Sequence, residues 1–269
     1  MFKLFRQWRR QRIVKRSTVS SGSWDNAFQQ LPLLDHLSDE ERHRLRRLAI
    51  LFLHEKSFVG AHDLELSEEM RLLIALQACL PILHLGIDWY AGWTTIIVYP
   101  AGFAPKREVV DEFGLVHTVK SELIGEAWQR GPVILSWEDT ESAGTLDGHN
   151  VVIHEFIHKL DMLNGAADGF PPQHKRSHAE AWSELFTAAY ADFQKNPKPG
   201  LSRYGATAPA EFLAVLSEVF FENPGLLNDA YPNVYEALSL FFKQNPLNQL
   251  NTGDMAAAEC SGPQQKSGH

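Results

Sequence analysis

Cysteine is scarce in this 269-residue chain: only Cys79 and Cys260 are present, one in an apolar helical pattern and one in a polar tail. That excludes a disulfide framework and fits a reducing compartment such as the cytosol. Long apolar runs are missing too. The most apolar stretch, Leu72 to Leu85, is broken by Gln77, Pro81 and His84, too short for a membrane span. No apolar segment with a small-residue cleavage site follows the first residues, so no secretory signal is expected. No repeat of solenoid period occurs. Acidic residues are absent from residues 1–16, which instead hold seven basic groups. The whole chain has 25 Lys and Arg against 33 Asp and Glu, so the remainder carries 18 against 33, a net charge of −15. A body this acidic repels nucleic acid, and direct nucleic-acid binding is not expected.

The composition that remains is globular, with 44% hydrophobic and 22% charged residues. Residues 1–22 read as a flexible basic arm with a solvated, frayed end. Phe2, Leu4, Phe5 and Trp8 within it leave a membrane-surface or partner-binding arm as the alternative. Residues 23–250 read as a single domain, and 251–269 as a disordered polar tail. Ser38 and Glu41 form a capping box for a helix over about 39–56, and Ser67 caps a second helix ending near Pro81. Residues 94–99 and 132–137 are β-branched or apolar runs that predict strands. Residues 138–149 read as a loop rich in Gly, Asp and Ser. Asn150 caps a helix over about 151–163, stopped by Asn164-Gly165. Further helices are predicted around Trp182–Ala189, from Pro209 to Glu222 and over about 232–243. The class is α+β, helix-rich with a small mixed sheet.

One run carries chemistry: His154-Glu155-Phe156-Ile157-His158 is His-Glu-x-x-His on a capped, apolar helix. Residues four apart differ by ~40° around a helix axis and about 6 Å along it, so both imidazoles project from one face. They can converge on one zinc ion. Glu155, one position round, reaches a water on that ion and takes its proton as the hydroxide attacks a carbonyl. A catalytic zinc needs a third protein ligand and an open position. The metzincin continuation would place it just downstream, where this chain has Asp161 and Asn164, so that class is excluded. Spacing alone leaves Glu180, Glu184, Glu211, Glu218 and Glu222 open as the third ligand. His174 and His178 repeat the four-residue spacing, but Lys175 and Arg176 between them repel a cation, and that pair reads as surface.

The His154–His158 run with Asp161 and Gly165, followed by Tyr204-Gly205-Ala206-Thr207-Ala208-Pro209-Ala210-Glu211, resembles the catalytic domain of anthrax lethal factor. Over nearly its whole length the chain is similar to the Mlc titration factor A family of bacterial zinc peptidases. The resemblance implies a zincin-like, gluzincin fold, with zinc held by His154, His158 and Glu211, base Glu155, and Tyr204 as an oxyanion-stabilising hydroxyl. It also implies cytoplasmic residence, aminopeptidase-like hydrolysis of small peptides, and binding to a Mlc-type transcriptional repressor. The rival reading is a regulatory protein that sequesters the repressor, its peptidase activity secondary. The toxin has an acidic residue four after the glutamate ligand, where this chain has Val215. Glu218 could take that supporting role, and Asp161 stands between histidine orientation and helix capping.

Overall fold

The computed structural model of the protein describes residues 2–101, 109–110, 116–117 and 131–248. Residues 251–269, expected to form a polar tail, lie outside that range, as does most of 102–130. Helices α1 (Phe2–Lys15), α2 (Ser21–Gln29) and α3 (Asp39–Glu55) come first. The capping box opening α3 is formed, with the Ser38 hydroxyl and the Glu41 carboxylate each satisfying the other's backbone. Strand β1 (Ser57–Gly60), helix α4 (Glu68–Cys79), strand β2 (Thr95–Tyr99), the short pair β3 (Val109–Val110) and β4 (Val116–His117), and strand β5 (Val133–Ser136) follow. Six α-helices follow among the described residues: α5 (Trp137–Ser142), α6 (Val151–Asp161), α7 (Arg176–Lys195), α8 (Pro209–Glu222), α9 (Pro224–Ala230) and α10 (Pro232–Phe242).

The expected mixed sheet is corrected: the three-stranded sheet, ordered β1-β2-β5, is parallel throughout. Among the described residues antiparallel pairing is confined to the separate pair β3-β4. The reason is connectivity, since two parallel neighbours need a crossover and α4 supplies it between β1 and β2. The basic N-terminal segment contains helix α1. Residues 2–15 are helical, and Ile13 and Val14 pack against the core.

One hydrophobic cluster runs from α2 to α10. Its centre is aromatic: the Phe156 ring of α6 lies 5.2–5.6 Å from the rings of Phe52, Tyr90 and Trp93. Helix α8 packs along α6 and is buried around nearly its whole circumference. A helix buried on all sides brings its polar residues inside with it, and each must then be paired. Its carboxylates Glu218 and Glu222 fall about two and three turns beyond Glu211, on the side facing α6.

Candidate metal centre

Asn150 sets the entry of α6. Its side-chain oxygen accepts from Ile153 N at 2.9 Å, a cap worth about 1 kcal/mol. Its amide donates to Gln77 Oε1 at 2.8 Å and to Glu222 Oε1 at 2.7 Å, while its own N–H donates to Glu218 Oε2 at 2.7 Å. Glu222 also accepts from Leu146 N at 2.6 Å. One residue thus ties α4, α6 and α8 together at the N-terminal turn that carries His154. In the sequence Asn150 reads only as a cap, and Glu222 stands among the ligand candidates. The overlooked signal was Gln77, a polar residue inside the buried apolar run of α4.

At the other end of α6, Asp161 Oδ2 accepts from Gly169 N at 2.7 Å. Gly169 has φ +84, and a Cβ there would stand 2.7 Å from Pro209 O, so only glycine lets this loop lie against the start of α8. Asp161 therefore fixes the loop that abuts Pro209, two residues before Glu211. Burial raises its pKa to about 6 despite the Gly169 bond. His158 Nδ1 has no hydrogen-bond partner among the described residues, so Asp161 does not orient that ring through one.

His154, His158 and Glu211 are the one group of three or more potential ligand side chains gathered among the described residues. The exposed Glu180 and Glu184, and the His174/His178 pair, take no part in it. His154 Nε2 and His158 Nε2 are 3.2 Å apart, and Glu211 Oε2 is 2.9 Å from the first and 3.3 Å from the second. Two donors each about 2.05 Å from a tetrahedral ion stand roughly 3.3 Å apart, so this triangle has the size of one face of such a coordination shell.

The chemistry of the donors agrees. His154 Nδ1 donates to Glu218 Oε1 at 2.7 Å, which directs the Nε2 lone pair at Glu211 and His158. An imidazole lone pair facing a carboxylate oxygen is stable only with a cation between them, either a proton or a metal. With a proton there, burial pulls the His154 pKa down, but the bonds to Glu211 and Glu218 outweigh it and hold the ring at about 10. Burial pushes Glu211 the other way, yet the bonds from His154 and His158 bring it down to about 2. The residues fit a divalent metal, with Glu218 bracing His154 from behind.

Glu155 does not join the triangle. It lines a cavity of about 450 Å³ with His154, Tyr204, Asp139, Asp147 and His149. Burial raises its pKa, against the pull of His158 and His154. Tyr204 stands on the 3-10 turn Arg203–Ala206, its ring centroid 5.9 Å from that of His154, and it is 54% exposed. Burial, then the charges of Glu211 and Glu155, raise its pKa and keep the phenol a donor. The Tyr204 turn rests on α8: a Cβ on Gly205 would meet Val215 Cβ at 3.4 Å. Val215, where the toxin-like pattern has an acid, is thus a buried support for the turn that carries Tyr204.

Two histidines with one glutamate are the donor set of catalytic metal centres in hydrolases, since structural sites are closed by four protein ligands. The chain belongs to the glucose-regulated metallo-peptidase family M90, which it matches over residues 5–243. It is 40% identical over 234 residues to Mlc titration factor A of Serratia proteamaculans, covering 84% of this chain and 88% of that one. It is 38% identical over 246 residues to the Cronobacter sakazakii protein of that name, 89% of this chain and 92% of that one. With the Salmonella typhi protein the identity is 38% over 259 residues, 94% and 95%. No helix among the described residues is long and apolar enough to cross a membrane.

Proposed function

We propose that this protein is a zinc-dependent peptidase of the gluzincin kind, with His154, His158 and Glu211 as ligands. The observation that carries the reading is the triangle of two imidazole nitrogens and one carboxylate oxygen, with Glu155 beside it on the cavity wall. When bound, the ion supplies an acidified water and a Lewis acid for the substrate carbonyl. Glu155, its pKa raised, takes a proton from the attacking water and delivers it to the leaving amine. The Tyr204 hydroxyl donates to the carbonyl oxygen as negative charge develops there. Glu218 keeps His154 in the tautomer that leaves Nε2 free for the ion.

Aminopeptidase-like specificity is supported by Asp139 and Asp147 on the same cavity, where a free α-amino group would be attracted. Strand β5 pairs with β2 along one edge. An extended peptide adding along its other edge would be held as a further strand. Substituting Ile134 by proline is expected to raise KM without loss of metal. The relatives' name, Mlc titration factor A, supports a second role in the cytoplasm: binding a Mlc-type transcriptional repressor. Glu155→Gln separates the two roles, because an amide cannot accept the proton. The variant is expected to keep its ion and bind purified repressor while losing peptide hydrolysis. Undiminished turnover would remove Glu155 as the base, and loss of repressor binding would tie that role to catalysis.

A further inference from the structure

Helix α1 is held to the body by one side. Arg10 donates to Asp88 at 2.6 Å, Arg6 pairs with the same carboxylate at 3.1 Å, and Ile13 and Val14 pack on the core. At ~100° per residue the opposite side carries Leu4, Phe5, Trp8, Arg12 and Lys15. There Leu4 is 71%, Phe5 64% and Trp8 54% exposed. The Phe5 and Trp8 rings lie 5.9 Å apart, and the Arg12 guanidinium sits 5.6 Å above Trp8. Beside them a groove of about 570 Å³ opens between α1 and α3. Ile13, Val19, Ile50 and Leu53 give it apolar walls, Arg9, Arg12 and Arg16 add cations, and no carboxylate among the described residues lines it.

Neither the exposed rings nor these cations are needed to fasten the helix, because Arg6, Arg10, Ile13 and Val14 do that. Apolar side chains standing out among guanidinium groups suit a surface that is anionic outside and apolar just beneath. A groove with apolar walls and cationic neighbours suits an anionic amphiphile in the same way. We propose that α1 is a docking surface for anionic phospholipid bilayers. The helix lies parallel to the membrane, Leu4, Phe5 and Trp8 enter the headgroup–acyl boundary, and Arg9, Arg12 and Arg16 meet the phosphates. The acidic body, repelled by the same surface, is held on the solvent side.

Co-sedimentation of the full chain with vesicles tests this. Binding is expected to vesicles of mixed phosphatidylcholine and phosphatidylglycerol, not to phosphatidylcholine alone, and to weaken as salt is added. Phe5→Glu/Trp8→Glu and Arg9→Glu/Arg12→Glu are each expected to lower partitioning at least about tenfold. Both keep the anchoring side of α1, so their circular dichroism and metal uptake should match the parent. Equal binding to both vesicle types, no binding to either, or binding indifferent to both double variants would overturn the proposal. Failure on vesicles together with a dimer that Phe5→Glu/Trp8→Glu dissociates would assign the face to a second copy instead.

Discussion

On one side of α6 the carboxylates of α8 reach His154, His158 and Asn150; on the other, Lys56 and Lys159 gather around the Trp93 ring. Both regions bury charge, and they finish it differently. Lys56 Nζ lies 3.6 Å from the Trp93 ring centroid and donates to Trp93 O at 2.7 Å and to Tyr90 O. Lys159 Nζ donates to Gly131 O at 2.8 Å. Burial pulls each lysine down to about 8, and main-chain carbonyls serve both as partners. Glu218 and Glu222 are likewise completed by Asn150, Leu146 and His154. The triangle is not, because three acceptor atoms converge on one point that only a cation can fill. Burial of charge is therefore common to both regions, and what sets the triangle apart is three ligand-type atoms gathered beside a cavity.

That contrast predicts where substitutions tell. Tyr204→Phe removes one donor on the open side, and kcat is expected to fall about 10²- to 10³-fold with KM little changed in steady-state peptide hydrolysis. A matching rise in KM instead would make Tyr204 a binding group. Glu218→Gln keeps the shape but weakens the brace on His154. Competition with a chelating dye should read a loss of roughly 10- to 100-fold in metal affinity. On the closed side, Lys56→Met leaves the carbonyls of Tyr90 and Trp93 unpaired. Urea unfolding should register about 1–3 kcal/mol of destabilisation, while activity per folded molecule stays at the parent value. Lost activity there would erase the distinction between the two sides.

The buried lysines also predict a dependence on pH. Folding lowers each lysine from an unfolded value of 10.5 to about 8, so between those limits the unfolded chain holds more protons than the folded one. The lysines' contribution to stability therefore rises with pH across that window, and Lys56→Met should flatten the rise. An unchanged slope would mean that Lys56 titrates normally in the fold.

Much of this was legible beforehand where local chemistry is strong. Ser38 with Glu41, Asn150, and Pro209 marked helix starts that the fold keeps, and the runs ending at Tyr99 and Trp137 contain β2 and β5. Strand β1 escaped because its four residues follow α3 after Lys56 alone and make too short a run to show strand alternation. Helix α9 escaped because Asn223 ends one helix and caps the next, its side chain accepting from Leu226 N at 3.3 Å. The pair His154 and His158 needed only helix periodicity. Their meeting with Glu211, 53 residues beyond His158, depends on the packing of α8 against α6, which no local signal encodes. For the same reason the lysine side went unseen: Lys56, Trp93, Gly131 and Lys159 are joined only by the tertiary fold.

If His154, His158 and Glu211 hold one divalent ion between them, X-ray absorption at the zinc edge of stoichiometrically loaded protein will read those ligands. The predicted spectrum has two imidazole nitrogens and carboxylate oxygen in the first shell, and Glu211→Ala removes an oxygen while leaving both nitrogens. A parent spectrum identical to that of Glu211→Ala, or a chain that takes up no ion, would mean that these three residues do not form a metal site.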